Sequence, residues 1–262
     1  MFEITQHDRE YWKYEYDVMA RYLLPLLQLW GVELEGTRIL DVGCGDGGGV
    51  SAMADAGMIC EGFDIEPRRV ELANILRGGR AFTMEVGNIY ESPIPFDGEL
   101  YDLVILHDVF EHLDRKPYVL ETLRSYLKPK GKIFLTFPPF YSAYGAHQQL
   151  LRSSVARIPF FHLLPFATSK ILPSLQNEHR PFIEEIQKLA NLKMGIGKFE
   201  RLLHTTQIAI ARREFYLIGP NHIRFGLKPL RAGMLGSIPL MRELFVTGAV
   251  YLLESKESER TQ

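Results

Sequence analysis

Apolar residues recur at steps of three and four between Asp8 and Trp30, at Trp12, Tyr16, Met19, Leu23, Leu26, Leu27 and Trp30. That spacing predicts a helix with a single apolar stripe. Pro25 has no N–H to give, so it should kink this helix or split it in two. Beyond Trp30 the pattern changes to short apolar runs separated by helix-compatible stretches. The runs are Arg38–Asp41, Met58–Asp64, Arg80–Val86, Tyr101–Leu106 and Lys132–Phe137, with two more expected at Arg212–Ile218 and Phe245–Leu253. Continuous apolar, β-branched runs alternating with helices predict an α/β fold whose strands are covered on both faces. The intervening helices are expected at Val50–Ala56, from Pro67 to Gly78-Gly79, and from Asp114 and Pro117 to the breaker cluster Lys128-Pro129-Lys130-Gly131. A last crossover helix should begin at Phe199–Leu203.

The chemistry starts at Arg38-Ile39-Leu40-Asp41-Val42-Gly43-Cys44-Gly45-Asp46-Gly47-Gly48-Gly49. A strand passing through glycines into a helix brings backbone N–H groups to a helix N-terminus, where a polar or anionic ligand can be held. Gly43, Gly45 and Gly48 satisfy the dinucleotide pattern G-x-G-x-x-G, a weak signal alone. Asp41 argues against a pyrophosphate, which its charge would repel, and for a ligand carrying an ammonium group. S-adenosylmethionine has that ammonium and no phosphate. Asp64 ends the second strand about twenty residues later, where a carboxylate can accept hydrogen bonds from vicinal ribose hydroxyls. Ile65 would then lie against the adenine face.

At this point the stretch resembles motif I of the class I S-adenosylmethionine-dependent methyltransferases, hydrophobic-Leu-Asp-hydrophobic-Gly-Cys-Gly-x-Gly, without a break from Ile39 to Gly47. The block from Tyr101 to Pro138 resembles the ubiquinone-biosynthesis type of small-molecule methyltransferase, and Pro93-Ile94-Pro95-Phe96-Asp97 its linker into strand four. The resemblance implies a Rossmann-like seven-stranded sheet in the order 3-2-1-4-5-7-6, strand seven antiparallel, with helices on both faces. It implies S-adenosylmethionine as cofactor, with Asp41, Gly43, Cys44, Gly45 and Gly47 cradling it and Asp64 and Ile65 at the adenosine. Asn88 and Ile89 are implied for the adenine, with Asn standing where many relatives have Asp. His107 is placed with the cofactor by its position at the carboxyl end of strand four. The family also lays an N-terminal helix over this pocket; the crowd of Tyr11, Trp12, Tyr14 and Tyr16 either packs that helix on the sheet or lends it a side chain for the ligand.

Residues 138–195 exceed what the minimal fold needs and are aromatic, with Phe140, Tyr141, Tyr144, Phe160, Phe161 and Phe166. Prolines 159, 165 and 173 prevent one long helix over Val155–Pro173, whereas Pro181–Ala190 has Phe182, Ile183, Ile186, Leu189 and Ala190 on one face. We read the segment as a cap enclosing an apolar or aromatic acceptor. Extra core, a dimerisation surface, or peripheral membrane contact through Arg157 and Lys170 are the alternatives. The Gly-, Pro- and Arg-rich stretch Gly219–Glu243 should form an excursion between the last two strands. Its Arg224, Lys228, Arg231 and Arg242 either meet an acidic acceptor or are solvated.

Composition narrows the rest. A chain of 262 residues, 46% hydrophobic, suits one domain over 1–262 with an embellishment at 138–195. A formal net charge of -2 offers no broad attraction to nucleic acid. Two cysteines, Cys44 and Cys60, fit a reducing compartment. The polar stretch Met1–Glu10 is no secretory signal and no run is long and apolar enough to span a bilayer, so a cytoplasmic location is expected.

Candidate acids, bases or metal ligands are His107, Asp108, Glu111, His112 and His147. Asp108, Glu111 and His112, at i, i+3 and i+4, would share a face of a helical turn and could hold a divalent ion, as proposed for some ubiquinone-type relatives. Bracing of the loop is the preferred role, so no metal is assigned. His147, early in the cap, is the preferred base, with a structural histidine as the alternative; His107 and Asp108 complete the catalytic candidates. The expected activity is methyl transfer from S-adenosylmethionine to a small apolar or aromatic acceptor, at oxygen. The rivals are an NAD-dependent oxidoreductase and a non-catalytic module that binds S-adenosylmethionine.

Overall fold

A computed structural model describes residues 3–91, 96–154, 157–175 and 178–256. The linker at Pro93–Pro95, and Val155 and Ala156 at the head of the apolar cap stretch, lie outside the described residues. Eight strands form one sheet: β1 Arg38–Val42, β2 Ile59–Asp64, β3 Phe82–Val86, β4 Tyr101–His107, β5 Leu127–Phe137, β6 Ile208–Ile218, β7 Leu230–Arg231 and β8 Gly248–Ser255. Their order is β3-β2-β1-β4-β5-β8-β6-β7. β1 to β5 are parallel, while β8 runs antiparallel between β5 and β6. The expected seven-strand order is therefore present, with a two-residue edge strand, β7, added by the excursion.

Alternation along the strands assigns the faces. Leu40, Val104, Leu106, Ile133 and Leu135 pack with helices α5 (Lys116–Ser125) and α8 (Ile196–His204). Ile39, Leu103, Ile105 and Phe134 pack on the other side. There they meet α1 (Gln6–Val18), α2 (Leu24–Leu29), α3 (Gly48–Asp55) and α4 (Pro67–Leu76). Burying one such aliphatic side chain is worth about 1.5–3 kcal/mol, so the two faces together dominate the stability.

Pro25 does not lie within one unbroken α-helix: as expected the helix is split, α1 ending at Val18 and α2 starting at Leu24. A π-turn over Met19–Leu23 intervenes, in which Leu24 N–H bonds back to Met19 O, and Pro25 enters α2 in its first turn, where a missing N–H is harmless. The breaker cluster Lys128–Gly131 does not stand outside the sheet. Tyr101 pairs with Leu127 and Leu103 with Lys132, so residues 128–131 bulge within a β5 that starts five residues earlier than expected. Phe245 ends helix α9 (Pro239–Phe245) rather than opening the last strand.

The insertion has a small core of its own. Phe140, Leu151, Phe161 and Leu172, the last in the one-turn helix α6 (Leu172–Ser174), pack with Ile183 and Ile186 of α7 (Arg180–Leu192). Phe182, expected on the buried face of α7, is 49% exposed. Ile183, Ile186 and Leu189 already fill that face, and Phe182 lies one position off it.

Candidate active site

The carboxyl ends of the parallel strands open onto one cavity of about 650 Å³. α1 is its lid. Thr5 and Asp8 form a reciprocal cap at the start of α1, and the Asp8 carboxylate receives both Arg68 Nη1 and Nη2 (3.1 and 2.9 Å), tying α1 to α4. The Arg68 guanidinium holds the Asp8 carboxyl well below the usual range. The glycine turn lets α1 settle. A Cβ on Gly48 would collide with the Trp12 carbonyl and stand 2.7 Å from Glu15 Cβ, whereas one on Gly49 would meet only Met19 Cε at 3.6 Å. Gly48→Ala should therefore destabilise the fold by about 1–3 kcal/mol through overpacking, and Gly49→Ala should be tolerated. Paired thermal melts check this; equal melting temperatures for the two variants would contradict the close approach of α1.

Of the residues singled out in the sequence, Gly43, Asp64, Ile65, Asn88, Ile89, His107, Asp108 and His147 line the cavity. Asp41, Cys44, Gly45 and Gly47 are buried behind it. Gly43, Gly45 and Gly47 all have positive φ (77°, 56° and 80°), so the turn requires them. Asp64, 8% exposed, accepts the Gly45 N–H at 3.0 Å on Oδ2 and the Glu66 N–H at 2.9 Å on Oδ1. Each oxygen keeps a further lone pair. Ile65 is 68% exposed beside it, an apolar surface offered at the cavity wall. Asn88 spends part of its amide locally: Oδ1 accepts Tyr90 N–H and Nδ2 donates to Glu91.

Asp41 Oδ1 is buried without a hydrogen-bond partner. Burial, then the neighbouring Asp64, pushes its carboxyl up to about 7. Glu15 of α1 bonds the Gly48 N–H at 3.3 Å, and burial, then Asp46, pushes it up to about 8. Two carboxyls held partly protonated next to a glycine turn are a receptive setting for a cation.

His107, Asp108 and Asn221 form a chain. Asn221 Oδ1 lies 3.2 Å from His107 Nε2, and Asn221 Nδ2 donates to Asp108 Oδ2. Asp108 Oδ1 accepts Thr136 Oγ1–H at 2.6 Å, and Tyr14 O–H donates to the Asn221 carbonyl. Asp108 has φ 55° and sits outside the 3₁₀ turn Phe110–His112, so it does not share a face with Glu111 and His112.

The third member of that cluster is His147, from the insertion. Its Nε2 lies 3.7 Å from Glu111 Oε1, and His112 Nε2 lies 3.4 Å from the same oxygen. The two imidazoles stack with centroids 5.5 Å apart. His112 Nδ1 also pairs with Glu185 of α7, which is how the loop after β4 is braced to the insertion. Glu111 is 2% exposed and its oxygens have no close hydrogen-bond partner. Burial alone would raise it, but His112 and His147 pull it down to about 2. Burial opposes charge on His112 too, yet Glu111 and Glu185 raise it to about 10. Ligand atoms of Glu111, His112 and His147 all lie within 4.8 Å of one another, a spacing one divalent ion could bridge.

Tyr11, Tyr14, Glu15, Arg69, Asn221 and His222 also line the cavity. The crowd of tyrosines on α1 was visible in the sequence, but not which of them face the cavity. Asn221 and His222 come from the excursion, on a 3₁₀ turn that no periodicity marks.

This sheet, with an antiparallel strand inserted beside β5 and a glycine turn after β1, defines the class I S-adenosylmethionine-dependent methyltransferase fold. Residues 11–185 match the family described as the methyltransferase domain, and the chain belongs to that family. Among curated proteins it is similar to the ubiquinone biosynthesis O-methyltransferase of Xanthomonas euvesicatoria, 32% identical over 107 residues, which cover 40% of this chain and 44% of that enzyme. The match to that of Cereibacter sphaeroides is 33% over 97 residues, 37% of this chain and 39% of the enzyme. These matches thus span less than half of either relative. Among solved structures, the plantazolicin methyltransferase BpumL with S-adenosylhomocysteine superposes with a TM-score of 0.58 at 16% identity, covering 96% of this chain and 88% of that one. Magnesium protoporphyrin IX methyltransferase from Synechocystis gives 0.54 at 16% identity, covering 92% and 83%. Family membership sets aside the NAD-dependent oxidoreductase. No described helix is long and apolar enough to cross a membrane.

Proposed function

We propose that the cavity transfers the S-adenosylmethionine methyl group to a hydroxyl of a small aromatic or apolar acceptor, with His147 as base and Glu111 as its positioning partner. The observation that carries this is the Glu111–His147 contact, a buried carboxylate beside an imidazole in the wall of the same cavity that Asp64 and Ile65 line. The donor arrives activated by its sulfonium charge, so alignment does most of the work. Asp64 would accept the ribose hydroxyls and Ile65 cover the adenine, with Ile89 and Asn88 adjoining it. Asp41 and Glu15, buried behind and beside the turn, supply negative charge toward the donor's cations.

A hydroxyl attacks poorly until its proton leaves. His147 would take that proton, and the Glu111 carboxylate would hold the imidazolium that results. His112, kept charged by Glu111 and Glu185, would favour the acceptor as an oxyanion. His107 and Asp108 are less suited to the base's role, since His107 Nε2 is engaged with Asn221 and the two Asp108 oxygens with Thr136 and Asn221; we assign them to holding the loop after β4 against the donor. The residues of 138–195 that face the cavity, Tyr144 and Leu150 among them, support the reading of this insertion as an acceptor cap. The O-methyltransferase relatives support oxygen as the target atom.

A divalent ion on Glu111, His112 and His147 is the second reading, and chelation separates the two. With His147 as base, exhaustive treatment with a chelator leaves turnover unchanged; loss of activity restored by added magnesium or zinc would overturn that assignment.

Cofactor binding should be coupled to pH. Asp41 and Glu15 have folded-state values raised above their unfolded ones, so the stability they contribute is present at low pH and is lost as pH rises through about 7 to 8. A cationic ligand reverses this by favouring the carboxylates. Titration of the free protein with S-adenosylmethionine near neutrality should release protons, and affinity should rise from pH 6 to 8 before levelling. Calorimetry in two buffers of different ionisation enthalpy measures that release; proton uptake would contradict the placement of these two groups.

A further inference from the structure

We infer that the excursion between β6 and β8 is a docking surface for an anionic lipid bilayer. A short surface helix ordinarily turns its apolar side inward; α9 does the reverse. Its polar side chains hold it to the protein: Arg242 Nη2 pairs with Glu200 at 2.6 Å, and the Glu243 carboxylate accepts the N–H groups of Ile196 and Gly197 at the start of α8. No residue of α9 is buried. Leu240 is 70% exposed, and Met234, on the turn before α9, is 88% exposed. Ile238 and Phe245 are about half-exposed beside them. Polar bonds thus fix a loop whose apolar side chains are left in water, the mark of an interaction surface.

Charge selects the occupant. From Phe215 to Arg242 the sequence contains no acidic residue; Arg224 and Lys228 are exposed there, while Arg231 pairs with Glu214 and Arg242 is held against Glu200. The flanking carboxylates are engaged, Glu214 with Arg231 at 3.5 Å and Glu243 with α8. An apolar surface with exposed cations at Arg224 and Lys228 matches the headgroup boundary of an anionic bilayer, where the apolar side chains enter and the cations meet lipid phosphates. A second copy docking through the same patch would oppose like charges across a two-fold axis.

The surface also reaches the active-site cavity. Arg224 and Phe225 belong to the excursion and line it. Docking would bring the cavity to the bilayer, so that an apolar acceptor could enter from the lipid. This last step rests on the proposed methyl transfer; docking itself does not.

The test is co-sedimentation of the whole chain with vesicles of phosphatidylcholine alone and of equimolar phosphatidylcholine and phosphatidylglycerol, with oligomeric state followed by analytical ultracentrifugation. We expect binding to the anionic vesicles at least about tenfold stronger than to the neutral ones, weakened by salt. Met234→Ser with Leu240→Ser should lower it about tenfold, with melting temperature and S-adenosylmethionine affinity unchanged. If that double variant fails to fold, Lys228→Glu, a single change at an exposed position, should produce the same loss. Absence of vesicle binding, equal binding to both vesicle types, or a dimer that the double variant abolishes would each overturn the proposal. Because binding is read without turnover, failure of docking and failure of the methyltransferase reading are separately visible.

Discussion

Asp64→Ala should weaken S-adenosylmethionine binding by about 10²-fold or more, since each hydrogen bond to a charged group contributes about 1.5–3 kcal/mol and two ribose hydroxyls are at stake. The carboxylate also ties the N–H of Gly45 to that of Glu66, so part of the loss would come through a loosened glycine turn. Asp64→Asn separates these effects. It keeps one acceptor oxygen and no charge, so it can hold only one of the two backbone N–H groups, and should recover part of the melting temperature lost in Asp64→Ala without recovering full affinity. Calorimetric titration of both variants reads the difference. Wild-type affinity in Asp64→Ala would remove Asp64 from the cofactor site.

The second large effect belongs to His147. His147→Ala should lower turnover by about 10²–10⁴-fold, the usual worth of a positioned base, with the dissociation constant for S-adenosylmethionine unchanged. A structural histidine would behave otherwise, since losing a brace would lower melting temperature and cofactor affinity together. Two further readouts distinguish the roles. Added imidazole should restore part of the activity of His147→Ala, and that variant should become less sensitive to the acceptor hydroxyl's own acidity at high pH than at low pH. Glu111→Gln should act in the same direction but less, because the imidazole would remain while its counter-charge was gone.

The sheet was legible in the chain because buried parallel strands must be continuously apolar and each is punctuated by turn residues. Ile39-Leu40-Asp41, Gly62-Phe63-Asp64 and Val104-Ile105-Leu106 carry that pattern without ambiguity. Where tertiary context overrode local signals, the reading failed. Lys128-Pro129-Lys130-Gly131 looks like a stop, yet its ends pair across a bulge with β4, since Lys128 finds Asp102 and Leu127 finds Tyr101. Phe245 continues an apolar run, but the bonds of Arg242 and Glu243 to α8 fix it in a helix instead.

The cofactor side of the cavity was also written locally, in a turn and the strand end that follows it. The acceptor side was not. His147 meets Glu111 across 36 residues of sequence, and Asn221 meets Asp108 across 113. Neither pair has a spacing rule, so their proximity is a property of the sheet and the insertion together. Spacing alone grouped Asp108 with Glu111 and His112; the positive φ of Asp108 turned it toward Thr136 and Asn221, and His147 took its place. That Tyr11, Tyr14 and Glu15 face the cavity was hidden for a different reason. Facing on a helix can be inferred only once the partner surface is known, and here that surface is the glycine turn.

The most direct test of the account is incubation of the protein with S-adenosylmethionine labelled in its methyl group and a panel of hydroxylated aromatic and apolar acceptors, run in parallel with His147→Ala. The account predicts label recovered as an O-methyl group on at least one acceptor, S-adenosylhomocysteine formed in equal amount, and near-complete loss in the variant. Undiminished transfer by His147→Ala, or a protein that binds the donor tightly and methylates nothing on the panel, would contradict it.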